Sequence, residues 1–193
     1  MTWVEVTGSI GFLCYFLYDI NSVTKKKKVF QSFFLLGTIL VLIATGGMIA
    51  RDWKGIGENI LRTGISAVLA VLAAGLLIYT LFFALPFQET YVEENHERKT
   101  YREGVYALCR HPGVLWFAFF YFALALLLGT GRALADGCLL TAWNFGYIVL
   151  QDRMIFPKTF SDYKDYQKTT PFLVPNRSSI KRCMGFWERS KKQ

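Results

Sequence analysis

Long apolar runs separated by short polar segments are the main feature of this sequence. The runs 30–50 and 64–87 contain no charged residue, and a third uncharged run extends from Pro112 to Gly131. Because about 20 apolar residues cross the hydrocarbon core of a bilayer, this spacing predicts membrane-spanning helices. The runs near 4–22 and 133–150 are apolar too, although each carries acidic residues.

This pattern predicts an all-α fold class, a polytopic transmembrane helix bundle of about five spans with a cytoplasmic helical C-terminal segment. Residues 1–193 then form a single membrane domain. The expected spans are about 4–22, 30–50, 64–87, 112–130 and 133–150, and the tail is 151–193. The first run lies between Glu5 and Asp19, so an amphipathic surface helix is its alternative. Pro86 is expected to end or kink the third span, and Asp136 to cap the last one.

Composition and charge favour a membrane over a nucleic acid as the partner. The chain is 53% hydrophobic, which is too apolar for an ordinary soluble domain, and its net charge is +8. Lys25–Lys28, the segment 88–110 and the tail together carry 18 of the 22 Lys and Arg residues. The positive-inside rule therefore places these segments in the cytoplasm and, with five spans, the N-terminus outside. Four spans would move only the N-terminus.

The same distribution of charge, together with the cysteine pattern, bears on which lipids, nucleic acids or metal ions the chain is expected to bind. Charges confined to loops point to membrane lipids as neighbours and give no reason to expect nucleic acid. Four scattered cysteines without a C-x-x-C pair give neither a disulfide framework nor the spacing of a metal site, so no metal is expected.

A candidate binding site lies where the polar segment meets the third uncharged run, at Arg110-His111-Pro112. Proline is favoured at the first helical position, so Pro112 is expected to begin a helix. Free N–H groups at a helix start attract anions, and an adjacent Arg and His strengthen that attraction for a carboxylate or phosphate. Two antiparallel spans joined by a tight turn would bring this stretch opposite Gln151-Asp152-Arg153, which makes one site of two separated clusters.

Aromatic residues follow in the tail. Tyr163 and Tyr166 are three residues apart and share a helix face. The two rings could line the bottom of a ligand pocket or anchor the tail at the membrane interface, where tyrosine is enriched. Taken alone, the pair favours the anchor.

Taken together, these features resemble the isoprenylcysteine carboxyl methyltransferase family and its phospholipid methyltransferase relatives over about residues 100–176. The resemblance rests on Gly104-Val105-Tyr106, Arg110-His111-Pro112, an acid at the end of the next span, Tyr163-x-x-Tyr166 and Pro171-x-x-x-Pro175. It implies a membrane methyltransferase that uses S-adenosyl-L-methionine at the cytoplasmic end of its last spans. The residues that it assigns to the cofactor are Tyr106, Arg110, His111, Pro112, Leu115, Tyr163 and Tyr166.

The resemblance also suggests the catalytic side of the site. The glutamate that the family has after its last span falls at Asp152, with Arg153 beside it. Asp152 would bind the amino or ribose groups of the cofactor or take a proton from an acceptor amine, and Arg153 would pair with an acceptor carboxylate. Two positions depart from the family, since Val114 replaces its usual tyrosine and Trp116 a frequent glycine.

The sequence does not identify the methyl acceptor, and it is compatible with two functions other than methyl transfer. The expected acceptor is lipophilic, either an isoprenylcysteine-type carboxylate or a phospholipid-type amine. An NADPH-dependent sterol-type membrane reductase is similar over the same stretch, although such enzymes are usually longer and have Asn-Tyr where Gly113-Val114 stands here. A membrane interaction protein that keeps the fold without its chemistry is the third possibility.

Overall fold

The computed structural model describes residues 2–84 and 98–190, and every regular element in these residues is helical. The predicted all-α fold class is confirmed. The α-helices in this part of the chain are α1 (Trp3–Val23), α2 (Phe33–Asp52), α3 (Ile60–Ile78), α4 (Val105–Leu108), α5 (Pro112–Leu128), α6 (Gly131–Leu150), α7 (Phe156–Thr159), α8 (Tyr163–Thr169) and α9 (Arg177–Ser190). Pro86 and the end of the predicted span 64–87 lie outside the described residues, as does the segment 88–97.

Three helical stretches are long and apolar enough to cross a membrane by length and composition, namely Lys28–Gly55, Ile60–Phe83 and Gly131–Thr159. They mark the chain as a membrane protein. Helix α5 is apolar but shorter, with 17 residues, or about 26 Å at 1.5 Å per residue. Helix α1 has 21 residues and is not among the three. The count of five spans therefore stays a prediction.

The five long helices form a bundle in which successive helices run in opposite directions. Helix α1 packs against α2 and α6, and α5 packs against α3 and α6. Trp143 Nε1 of α6 donates to Ser9 Oγ of α1 over 2.8 Å, and Gln151 Nε2 donates to Asp19 over 2.8 Å, so these two helices are parallel. We call the end where α5 begins and α6 finishes the Arg110 end, and the opposite end the Asp136 end.

Small residues allow α1 and α2 to approach closely. A Cβ atom placed on Gly37 of α2 would lie 2.7 Å from the carbonyl oxygen of Gly11 in α1 and 3.0 Å from the ring of Tyr15. Close backbone contact at small residues is the usual means by which apolar helices associate in membranes. The bundle core lies next to this crossing and includes Phe12, Val41, Ala44, Met48, Tyr121, Leu124 and Leu140.

At the Asp136 end, the predicted helix cap is wrong. Thr130 is the N-cap of α6, because its Oγ1 accepts the N–H of Ala133 over 3.0 Å. Asp136 lies beyond the first turn, where the backbone N–H groups are already paired within the helix. Its buried carboxylate instead accepts a 2.6 Å hydrogen bond from Arg51 Nη2, which joins α2 to α6.

At the Arg110 end, two helices continue as single π-helical turns. Tyr79–Phe83 extends α3, and Gln151–Ile155 extends α6. The tail that was expected to begin at residue 151 therefore starts as a continuation of the last long helix, and its helical character is confirmed by α7, α8 and α9. Because π turns displace backbone hydrogen bonds, they often occur at functional sites.

Candidate functional site

The carboxylate of Asp152 is the centre of the polar cluster at the Arg110 end. Arg110 binds it through two hydrogen bonds, from Nε to Oδ1 at 2.8 Å and from Nη2 to Oδ2 at 3.1 Å. Tyr163 donates its hydroxyl to Oδ1 over 2.7 Å, Gln167 Nε2 donates to Oδ2 over 3.1 Å, and His111 Nε2 lies 3.2 Å from Oδ1. The predicted meeting of the Arg110-His111 stretch with the end of α6 is thus confirmed for Asp152.

The π turn explains how Asp152 enters this cluster. The N–H of Phe156 donates to the carbonyl of Gln151 rather than to that of Asp152. Pro157 follows and has no N–H to offer. The Asp152 carbonyl is therefore available, and Gln167 Nε2 donates to it over 3.0 Å. One side chain of α8 thus holds both the backbone and the carboxylate of the turn.

The guanidinium of Arg110 also holds the loop after α8. Its Nη1 donates to the carbonyls of Gln167 and Thr170, at 3.1 and 2.8 Å, and its backbone N–H donates to the carbonyl of Pro171 over 2.9 Å. The guanidinium carbon lies 5.4 Å from the centre of the Phe172 ring, within the range of a cation–π contact. Arg110 is therefore paired with groups of the chain itself.

His111 is the N-cap residue of α5 and is buried, with 6% of its surface exposed. Its ring stacks on Phe156, with centroids 5.9 Å apart, and meets Phe172 edge-on at 5.1 Å. Burial lowers the pKa of His111 below its ordinary value of 6.5, although the adjacent Asp152 opposes that shift. The imidazole is accordingly held neutral near pH 7 in an aromatic box that excludes water.

The three predicted tyrosines link the segments around this cluster. The hydroxyl of Tyr166 donates to the carbonyl of Tyr106 over 2.6 Å, and the hydroxyl of Tyr106 donates to the carbonyl of Thr80 over 3.0 Å. Burial raises the pKa of both Tyr163 and Tyr166 well above the ordinary value of 10.0, so both phenols are hydrogen-bond donors at neutral pH.

Three of the predicted site residues make no hydrogen bond to the Asp152 carboxylate. Arg153 is exposed and takes no part in the hydrogen bonds that surround Asp152. Pro112 is the buried first residue of α5, as predicted, and Leu115 is half-buried on the same helix. Nearby, burial raises the pKa of the Cys109 thiol to about 11, which leaves it protonated and unsuited to nucleophilic chemistry.

Several residues that surround Asp152 and His111 were not predicted from the sequence. Asp152 and His111 are surrounded by Gln167, Phe156 and Phe172, which carry no charge and are not among the residues that define the motifs. The only signal for Gln167 was its place directly after Tyr166. Among the buried side-chain polar atoms that have no hydrogen-bond partner in the described part of the chain are Thr80 Oγ1 and Trp116 Nε1. Both belong to the packed helix pair formed by α3, with its π turn, and α5.

An apolar groove of about 430 Å³ lies between α5 and α6 and is open to the outside of the bundle. Phe122 and Cys138 line its middle, and Phe145 lies on its wall towards the Arg110 end. The ring of Phe145 is 6.1 Å from that of Phe172, which in turn touches His111 and Arg110. The groove is therefore joined to the polar cluster through two aromatic rings.

In comparisons with known proteins, no family model matches the chain, and neither a curated protein nor a solved structure is significantly similar to it.

Proposed function

We propose that this chain is an integral membrane S-adenosyl-L-methionine-dependent methyltransferase acting on a lipophilic acceptor, either an isoprenylcysteine-type carboxylate or a phospholipid-type amine. The observation that carries the proposal is the buried pairing of Arg110 with Asp152 inside a shell of aromatic rings. The sequence resemblance noted above places the donor at these same residues and supports the proposal.

The cluster suits the amino-acid end of the methyl donor, which carries a carboxylate and an ammonium group. Arg110 and Asp152 offer a cation and an anion side by side, 2.8 Å apart. A zwitterion can exchange with such a pair, its carboxylate turning to Arg110 and its ammonium to Asp152, through charge-assisted hydrogen bonds. Thr80 Oγ1 and Trp116 Nε1 are buried polar atoms without a partner in the described chain, and they would serve further polar groups of the donor.

The residues of the chain contribute position and shielding rather than covalent chemistry. The bound donor would supply an electrophilic methyl group on sulfur, and holding it in line with the acceptor can contribute about 7–11 kcal/mol of the barrier reduction. His111, Phe156 and Phe172 exclude water from the cluster. A carboxylate has about four lone-pair positions, and those of Asp152 already receive Arg110, His111, Tyr163 and Gln167. We therefore assign Asp152 to donor positioning and not to proton abstraction.

The groove between α5 and α6 supports a lipophilic acceptor. Its lining is apolar, and it opens sideways, towards the lipid in a membrane-inserted bundle. A hydrocarbon chain lying there would place its polar head near Phe145 and Phe172, beside Arg110. In this arrangement the protein is multi-pass and its site faces the cytoplasm, as the distribution of Lys and Arg residues suggests.

The direct test is methyl transfer from a tritiated donor to lipid. The detergent-purified protein is incubated with S-adenosyl-L-methionine labelled in its methyl group and with extracted membrane lipids or a prenylated cysteine. In the expected reaction the methyl–sulfur bond would break, a methyl–oxygen or methyl–nitrogen bond would form, and S-adenosylhomocysteine would leave; an amine acceptor would also release one proton to the solvent. Asp152→Asn should abolish most of the organic-phase label, whereas Asp165→Asn, at an exposed residue of α8, should not. Folded protein that labels neither class of acceptor would contradict the proposal.

The same assay tests the groove. Ala142→Trp fills it with an indole and should raise the KM for the lipid acceptor while leaving affinity for S-adenosylhomocysteine unchanged. Ala135→Trp is the matched control, because Ala135 is also exposed on α6 but does not line the groove. Equal kinetics of the two variants would exclude the groove as the acceptor path.

A further inference from the structure

Helix α9 has an inner face that packs against the rest of the protein and a second, apolar face that does not. Ser179, Cys183 and Phe186 are four and three residues apart and form the inner face, since α9 packs on α4 and a Cβ on Gly104 would lie 3.6 Å from the Phe186 ring. This face holds the helix against the segment that leads into Arg110.

The second face is one residue further along the helix, rotated by about 100°. It consists of Ile180, Met184 and Trp187, which are 42%, 57% and 42% exposed. Three large apolar side chains at this spacing form a continuous stripe. In the described residues, no other helix covers this stripe.

Basic residues border the stripe. Arg177 and Lys181 are exposed and four residues apart, and they form an edge beside it that Glu188 interrupts two turns further on. Arg182 lies on the far side and donates to the carbonyl of Thr169 over 2.6 Å, so it belongs to the fold rather than to this edge.

The position of α9 in the bundle identifies what the stripe meets. Helix α4, on which it packs, directly precedes the start of α5, and α9 therefore lies at the Arg110 end. The four lysines Lys25–Lys28 are exposed between α1 and α2 at the same end. An apolar stripe with a basic edge, at the same end of the bundle as these further cationic side chains, complements an apolar surface with anionic head groups.

We infer that α9 lies in the plane of an anionic bilayer leaflet, with Ile180, Met184 and Trp187 inserted among the acyl chains and Arg177 and Lys181 at the lipid phosphates. The bilayer is the one that holds the bundle. This inference concerns a surface outside the Arg110 cluster, and it holds whichever ligand that cluster binds.

The test uses the full chain in nanodiscs, with an environment-sensitive fluorophore on a single introduced cysteine. Cys138→Ser and Cys183→Ser remove the accessible native thiols, while Cys14 and Cys109 are buried. The label is attached in Met184→Cys, or in Ser178→Cys, which is exposed on another face of the same helix. Ile180→Cys provides a second position on the stripe.

In discs of equal parts phosphatidylcholine and phosphatidylglycerol, spin-labelled lipids should quench the label at 184 several-fold more than the label at 178. Quenching at 184 should fall in pure phosphatidylcholine and with the double change Arg177→Glu and Lys181→Glu. Equal quenching at both positions would show that the stripe does not meet lipid. Quenching at 184 that ignores both lipid charge and charge reversal would overturn the anionic preference.

Discussion

Asp152 illustrates how much one side chain organises at the residue scale. It joins the segment before α5, the end of α6 and α8, because its donors come from Arg110, Tyr163 and Gln167. Removing one partner of a buried pair is costly, since the other charge remains without compensation. The same closeness of opposite charges is what makes the pair exchangeable with a zwitterionic ligand.

His111 should make the stability of the protein depend on pH. Burial lowers its pKa below 6.5 in the folded state, so the unfolded chain binds a proton more readily. Stability is therefore full above the ordinary pKa and is lost as the pH falls below it, by at most about 1.4 kcal/mol per pH unit. Thermal unfolding in detergent between about pH 7.5 and 5.5 would measure this slope.

The variant His111→Gln should flatten the slope, because it removes the buried imidazole. A slope that persists in His111→Gln would assign the pH dependence to other groups.

The partners of Arg110 could be predicted only in part from the sequence. Antiparallel topology was enough to place Arg110 opposite the end of α6, because a tight turn fixes the depth of both segments. It did not reveal that Arg110 also binds the carbonyls of Gln167 and Thr170, since backbone acceptors leave no mark in a sequence. Arg153 was expected in the site on grounds of adjacency, but consecutive helix residues point in different directions.

At the scale of elements, the bundle depends on how closely its helices approach. The crossing of α1 and α2 places Gly37 against the backbone of Gly11. Gly37→Ala should destabilise the protein by about 1–3 kcal/mol, because the added methyl group overfills a packed contact. Gly46→Ala, on the same helix with nothing within 4 Å, should stabilise it by about 0.4–1 kcal/mol. Unfolding midpoints of the two variants in one detergent check this, and equal shifts would contradict the packing.

Hydropathy located most helices within a few residues, because the change from apolar to charged positions coincides with their ends. The π turns at Tyr79–Phe83 and Gln151–Ile155 were not predicted. They depend on partners far along the chain, such as Tyr106 for the Thr80 carbonyl. The hydrophobic periodicity of a helix depends on local sequence, so it cannot predict a hydrogen-bond partner from a distant segment.

At the scale of the whole molecule, the direction of α1 bears on the topology. It runs parallel to α6 from the Asp136 end to the Arg110 end, as its contacts at Ser9 and Asp19 show. A helix of this length inside the bundle is what a fifth span requires. We therefore expect the N-terminus and the C-terminus on opposite sides of the membrane.

Reporter fusions test this expectation in cells. Alkaline phosphatase, which is active only outside the cytoplasm, should be active at the N-terminus and inactive at the C-terminus, and a fluorescent protein that folds only in the cytoplasm should give the reverse. Both termini on the cytoplasmic side would favour four spans with α1 lying on the surface. A C-terminus outside would contradict the orientation inferred from Lys and Arg.

The most direct measurement of the central claim is calorimetric titration of the detergent-purified protein with S-adenosylhomocysteine, with NADPH as the parallel ligand. We predict that S-adenosylhomocysteine binds and NADPH does not. Arg110→Ala should weaken the binding by about ten- to a hundredfold, because hydrogen bonds to charged groups contribute about 1.5–3 kcal/mol, while Asp165→Asn should bind as the unmodified protein does. Binding of NADPH alone would make the cluster a reductase site, and binding of neither ligand by folded protein would contradict the methyltransferase account.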